Sequence, residues 1–182
     1  MGVHGSEFDS VVFRFAVLLA LEHVANRATV FRPQDSAIDL SPFRFKQIRG
    51  RDYTTCGLTL AGNPVCWGGD VLRLSGSFEN GRGPVEIEGG PFLDIAVTNS
   101  AICALDFDNQ LHCFGRNYNS MIPDQDENAR STEPRLVGVD LKFENIEASK
   151  KFMCGTTVEQ DVYCWGKIAG EATPVTKLRF PD

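Results

Sequence analysis

Between Phe45 and Gly166 short apolar runs alternate with polar breaks, and no apolar stretch in that region is long enough for a helix face. The runs of the central region are Phe92 to Val97, Ala101 to Phe107, Leu111 to Phe114 and Pro134 to Val139. Each has the length of a strand, and the pair Asp108-Asn109 between the second and third is turn chemistry. Gly62-Asn63 and Glu159-Gln160-Asp161 punctuate matching runs on either side. The pattern predicts many short strands joined by turns, consistent with 17 glycines and nine prolines in 182 residues.

The runs recur. FKQIRGRDYTTCGLTLAGNPVCWG from Phe45, FLDIAVTNSAICALDFDNQLHCFG from Phe92 and FENIEASKKFMCGTTVEQDVYCWG from Phe143 align without a gap. Their common frame is Phe45, Ile48, Cys56, Cys66, Trp67, Gly68; Phe92, Ile95, Cys103, Cys113, Phe114, Gly115; and Phe143, Ile146, Cys154, Cys164, Trp165, Gly166. The units start 47 and then 51 residues apart, and the difference lies wholly after the frame glycine, as an insertion in a loop would. Each closes on an apolar lead-in: Pro84-Val85-Glu86-Ile87, Pro134-Arg135-Leu136-Val137 and Pro174-Val175. Four strands per unit of this length is the pattern of a propeller blade. The expected fold is all-β, an incomplete β-propeller of three clear four-stranded blades: residues 45–91, 92–142 and 143–182, the last ending at the start of a further unit with Phe180.

The cysteines follow from the hairpin. Cys103 and Cys113 are equidistant from a turn near Asp108, and directly opposed residues bring Cα atoms to about 4.5–5.5 Å, within reach of a disulfide. The same holds for Cys56 with Cys66 and for Cys154 with Cys164. Six reduced, buried cysteines would satisfy the same pattern. A structural zinc site fits less well, because such sites favour ligand pairs two to four residues apart, and His4, His23 and His112 match no ligand spacing. Bridged cysteines would place the chain in an oxidising compartment, extracellular or within the secretory pathway. Trp67, Phe114 and Trp165 sit at equivalent positions, one per unit, and are read as packing between neighbouring blades.

The order Cys, turn, aromatic, Cys, Trp, Gly, carried best by CGLTLAGNPVCWG and CGTTVEQDVYCWG, resembles the repeat of the regulator of chromosome condensation family. It is closest to the cysteine-paired version in crinkly-type plant receptor-like kinase ectodomains and some secreted microbial proteins. The resemblance covers Phe45 to Gly166 and implies a blade used as a protein-binding or ligand-sensing platform. The Asn that usually follows Trp-Gly is kept only in Gly115-Arg116-Asn117; Gly69-Asp70-Val71 and Lys167-Ile168-Ala169 depart from it. The nucleotide-exchange activity of the founding member does not carry over to three units, and the glycine-rich loop and catalytic-loop motifs of a kinase are lacking.

Residues 1–44 have competing readings. The run Val11 to Leu21, broken by Arg14, is a weak secretory signal within residues 11–28 or an amphipathic helix spanning Val11 to Val24. Alternatively, Leu19-Ala20-Leu21, Thr29-Val30-Phe31 and Ala37-Ile38-Asp39-Leu40 form a degenerate unit without cysteines. No run approaches the roughly 18–20 apolar residues of a membrane span. A net charge of −6 and dispersed arginines argue against a nucleic-acid groove.

Three functions are weighed. The first is a non-catalytic protein-binding or ligand-sensing module, secreted or part of an ectodomain. It needs no cofactor or metal and has a protein partner; its partial ring is closed by self-association, closed by blades on another polypeptide, or left open and capped by residues 9–44. Its contact surface would be the variable loops, Gly69 to Gly90 and Asn117 to Arg135, the latter with Tyr118, Met121, Asp124, Asp126 and Glu127. The second is an intracellular scaffold or inhibitory protein of the same fold. The third is a hydrolase, for which His112 is the only histidine inside the repeats, with Asp106 and Asp108 better read as turn residues.

Overall fold

The computed structural model describes residues 38–52, 54–68, 84–98 and 100–179. The readings of residues 1–37, of most of the Gly69–Gly90 loop and of Phe180 lie outside the described residues. The described chain is all-β. β1 (Phe45–Arg51), β2 (Thr54–Thr59), β3 (Pro64–Gly68) and β4 (Val85–Glu86) form one antiparallel meander. β5 (Asp94–Val97), β6 (Ala101–Leu105), β7 (Leu111–Arg116) and β8 (Arg130–Leu136) form the second, and β9 (Phe143–Ala148), β10 (Phe152–Thr157), β11 (Val162–Ile168) and β12 (Glu171–Lys177) the third. We call these sheets blades 1 to 3. They are three blades of an incomplete propeller, with first strands β1, β5 and β9 packed side by side.

Alternation along the strands divides each sheet into two faces, and the faces make two cores. Leu58, Cys56 and Cys66 of blade 1 meet Phe92, Ile95, Val97, Ile102 and Phe114 of blade 2. The opposite face of blade 2, with Ala96, Cys103, Leu105, Leu111 and Cys113, meets Phe143, Ile146, Met153 and Trp165 of blade 3. Blades 1 and 2 thus turn their cysteine pairs toward the next blade, and blades 2 and 3 turn Phe114 and Trp165 toward the previous one. Burying these side chains, each worth about 1.5–3 kcal/mol, holds neighbouring blades together.

Polar bonds fix the blade-to-blade register. Asp94 on β5 accepts from Gln47 Nε2 on β1 (2.6 Å), from its neighbour Ile95 N (2.8 Å) and from Ile146 N on β9 (2.9 Å), so one carboxylate ties three first strands. Backbone N–H groups at the next unit's start also reach the previous hairpin tip: Phe92 N to Gly62 O, and Phe143 N to Asn109 O, both at 2.9 Å.

The frame glycine has a local cause. Gly68, Gly115 and Gly166 all have positive φ, at 114°, 103° and 107°. The ladders β7–β8 and β11–β12 slip register between Cys113 and Gly115 and between Cys164 and Gly166. A bulge follows the second cysteine, and its positive φ favours glycine.

Every strand of the middle unit differs in at least one limit from that expected: the first begins at Asp94 rather than Phe92, and the third runs on to Arg116 rather than ending at Phe114. The fourth strand of the middle unit runs Arg130–Leu136, not Pro134–Val139. Pro134 lies inside it because β8 is an edge strand, where a missing N–H costs no ladder bond. Past Leu136 the chain turns: Val137 N bonds Leu111 O, and the Asp124 carboxylate takes Gly138 N at 2.7 Å. The second strand stops at Leu105, because Asp106 begins the turn: its carbonyl accepts Asn109 N and its carboxylate accepts Asp108 N.

Candidate binding surfaces

The three cysteine pairs are directly opposed in their hairpins and are disulfides: Cys56–Cys66, Cys103–Cys113 and Cys154–Cys164, with Cα separations of 4.0, 4.1 and 4.1 Å. Phe114 and Trp165 are buried in the two cores between blades. Trp67 is half-buried, with its ring 5.5 Å from that of Phe45.

His112 lies on β7 with its ring 5.7 Å from that of Phe92. Its Nε2–H donates to Asp106 Oδ2 at 2.8 Å. The Asp106 carboxylate also accepts Asp108 N and Gln110 N, both at 2.9 Å. Partial burial pushes this carboxyl up, but the bonds from Gln110, His112 and Asp108 together outweigh it and hold the group below the usual carboxylate value. The arrangement locks a hairpin, and among the described residues no serine or cysteine nucleophile is bonded to the imidazole. Among the described residues no group of three or more His, Cys, Asp or Glu is placed to hold a metal ion.

The loop from Asn117 to Ala129 is built around a buried amide. Asn117 Nδ2 donates to the carbonyls of Gln125 (2.8 Å) and Asp126 (3.2 Å), while its Oδ1 accepts Ile122 N (2.8 Å). This Asn is the one the middle unit keeps after its frame glycine. Asn119, Ser120, Asp124 and Asn128 all have positive φ, which side chains able to bond locally tolerate best. Met121, expected on a contact patch, is instead fully buried. Its sulfur lies 3.3 Å from where a Cβ on Gly166 would stand, and its carbonyl accepts Trp165 Nε1–H at 2.9 Å. The cause is the neighbouring blade, whose Trp165 needs an acceptor once buried. Asp124 is occupied by Gly138 N, whereas Tyr118, Asp126 and Glu127 face solvent. A cleft of about 520 Å³ lies between this loop and β12, lined in part by Ile122, Pro123, Gln125, Val139, Trp165 and Pro174.

Solved structures share this arrangement. Human WBSCR16 superposes with a TM-score of 0.65 at 14% identity, over 80% of this chain and 42% of that one. Prp20p from Saccharomyces cerevisiae, the yeast RCC1, gives 0.61 at 17% identity over 75% and 39%. The fold is that of an RCC1-like propeller. The ectodomain of the Arabidopsis thaliana receptor kinase ACR4 superposes more loosely, at 0.48 and 18% identity over 77% and 42%. The chain spans about two fifths of the length of each of these RCC1-like and receptor structures. No protein-family model matches the chain, and no curated protein matches it in sequence.

Sequence reasoning missed two roles. Asp94 was one polar residue among several, although each unit carries a polar residue two after its Phe: Gln47, Asp94 and Asn145. The glycine after the first cysteine, Gly57 and Gly155, was outside the frame because the middle unit has Ala104. A Cβ on Gly57 or Gly155 would stand 2.4 or 2.5 Å from Cδ1 of Phe45 or Phe143, so ring and glycine are one packing unit.

Proposed function

We propose that this chain is a non-catalytic protein-binding segment of an RCC1-like propeller, working in an oxidising compartment. The observation that carries the reading is where its reactive side chains are spent. All six cysteines are paired, His112 is tied to the turn carboxylate of Asp106, and Asp94 joins three first strands. Chemistry-bearing groups serve the scaffold, which leaves surfaces for recognition. Three disulfides support a secreted or ectodomain setting. Prp20p, described as binding Gsp1p and histones and solved bound to Kap60, supports protein binding as the use of the fold and favours the second reading, an intracellular scaffold. The outer face of blade 3 is the place for self-association or for another chain's blade: Cys154 is half-buried there, whereas Cys56 and Cys103 are fully covered by the next blade.

The test is a mass measurement. Alkylating the unfolded, never-reduced protein should leave all six cysteines unmodified, with six adducts gained after reduction. Six adducts before reduction would remove the oxidising compartment and favour the intracellular scaffold. A hydrolase screen with His112→Ala as control checks the non-catalytic part, and an activity lost in that variant would overturn it.

A further inference from the structure

Among the described residues the strand order assigns every exposed large apolar side chain to one end of the blades or the other. The tight hairpins β2–β3, β6–β7 and β10–β11 all turn at one end, where each blade also hands on to the next. Leu60 (69% exposed), Phe107 (63%) and Val158 (42%) occupy the same position in the three hairpins, four residues after the first cysteine. Leu93 lies at this end, because its N–H bonds Leu105 O; so does Leu136, opposite His112; so does Leu178, whose N–H bonds Val162 O. Among the described residues only Tyr118 of the exposed large apolar side chains is at the other end, the end of the long loops.

The charges at the hairpin end have a sign. The three tips, residues 59–63, 106–110 and 157–161, contain Asp106, Asp108, Glu159 and Asp161 and no Lys or Arg. Nearby cations are partly engaged. Lys177 pairs with Asp161 at 2.6 Å, Lys46 donates to Phe92 O, and Arg44 donates to the carbonyls of Ser41 and Phe43. Lys142, Arg135 and Arg179 are exposed at this end. Against them stand exposed Asp108, Glu159, Glu86, Glu88, Asp140 and Glu144, none with a cationic partner among the described residues.

We propose that this hairpin end, and not the end of the long loops, is the docking surface, and that its occupant is a protein presenting apolar side chains within a Lys- and Arg-rich rim. This rests on the binding-module reading and names the site and partner chemistry. Apolar side chains repeated at one end of a propeller match what specific interfaces bury, and the surrounding acids select a basic partner.

The probe is a labelled amphipathic peptide of Leu and Lys, with a Leu and Glu peptide of the same pattern as the charge control. Fluorescence anisotropy at physiological salt should show the Leu/Lys peptide bound at least about tenfold more tightly. Leu60→Ser/Phe107→Ser/Val158→Ser should lose about tenfold or more in affinity for it, Asp108→Asn/Glu159→Gln should lose less and flatten the salt dependence, and Tyr118→Ser should stay within about twofold. All six side chains are exposed; if the triple variant unfolds early by circular dichroism, Phe107→Ser alone replaces it. Equal binding of both peptides, no binding of either, or an unchanged affinity in Leu60→Ser/Phe107→Ser/Val158→Ser or its Phe107→Ser replacement overturns the proposal. Loss of affinity in Tyr118→Ser alone would keep a binding module but move its site to the other end. A dimer by sedimentation that the triple variant makes monomeric would name a second copy as the occupant and overturn the basic partner.

Discussion

Gly155→Ala tests the packing unit most sharply. The new methyl would stand 2.5 Å from Phe143 Cδ1, 2.8 Å from Cε1 and 3.2 Å from Asn145 O. Carbon atoms in ordinary contact sit about 3.5–4.0 Å apart, so the ring must retreat by about 1 Å. It has nowhere to go: Phe143 is fully buried, with the Trp165 ring 5.7 Å away. Overpacking of this kind costs about 1–3 kcal/mol. Ala gains back about 0.4–1 kcal/mol from the unfolded chain. At the middle of both ranges the net loss is about 1.3 kcal/mol, a fall in Tm of roughly 3–5 °C for a domain of this size.

Urea unfolding of wild type, Gly155→Ala, Phe143→Leu and the double variant closes a cycle. Leu is narrower than Phe at the contact, so the double variant should be more stable than the sum of the single losses by at least about 0.5 kcal/mol. Gly155→Ala as stable as wild type, or strictly additive losses, would refute the shared packing of ring and glycine.

Asp94→Ala should cost about 2–4 kcal/mol, since it leaves Ile146 N and Gln47 Nε2 without their acceptor, and hydrogen exchange should quicken at Ile146 before it does in the hairpin cores. Removing Cys103–Cys113 by double Ser substitution should destabilise by about 2–3 kcal/mol or more, and removing Cys154–Cys164 by less, because the former is fully buried between blades and Cys154 is half-exposed; thermal unfolding of the two variants gives the order. The depressed Asp106 carboxyl stabilises the fold above the ordinary unfolded carboxylate value near pH 4, and that contribution is lost as pH falls through the lower folded value. The stability gap between wild type and Asp106→Ala should thus be full at neutral pH and close below about pH 4, as urea titrations across that range would show. Trp165→Phe removes the bond to Met121 O, and limited proteolysis should then cut within residues 117–129 sooner than in wild type.

What could be read from the sequence was whatever repeats with fixed spacing. Phe, Ile, the cysteine pair and the aromatic-glycine step each recur at one offset, because each faces the same neighbour in every blade. The fourth strand did not announce itself. Arg130-Ser131-Thr132-Glu133 carries no apolar alternation, since β8 is an edge strand that needs only one paired side, so the apolar lead-in near Pro134 mimics its beginning. Met121 looked like a loop residue because its cover comes from Trp165, 44 positions further on, and local pattern does not carry that distance.

Leu60, Phe107 and Val158 show the opposite failure, in which a repeated position was visible but its meaning was not. Along Cys56-Gly57-Leu58-Thr59-Leu60 the alternation continues unbroken, and period two assigns Leu60 to the same buried face as Leu58. The fold cancels the assignment, because the ladder ends one residue earlier: Thr59 N bonds Asn63 O, Asp106 N bonds Gln110 O and Thr157 N bonds Asp161 O, closing three equivalent turns. The next side chain is carried past the end of the sheet into solvent. A core position extended by one step beyond its hairpin becomes a surface position. When three blades make the same step with Leu, Phe and Val, apolar character at that position has no packing to explain it within the described chain. Solubility alone would favour a polar residue at each tip. That persistence at the tips, set beside the buried Met121 on the opposite side, is the physical ground for placing recognition at the hairpin end.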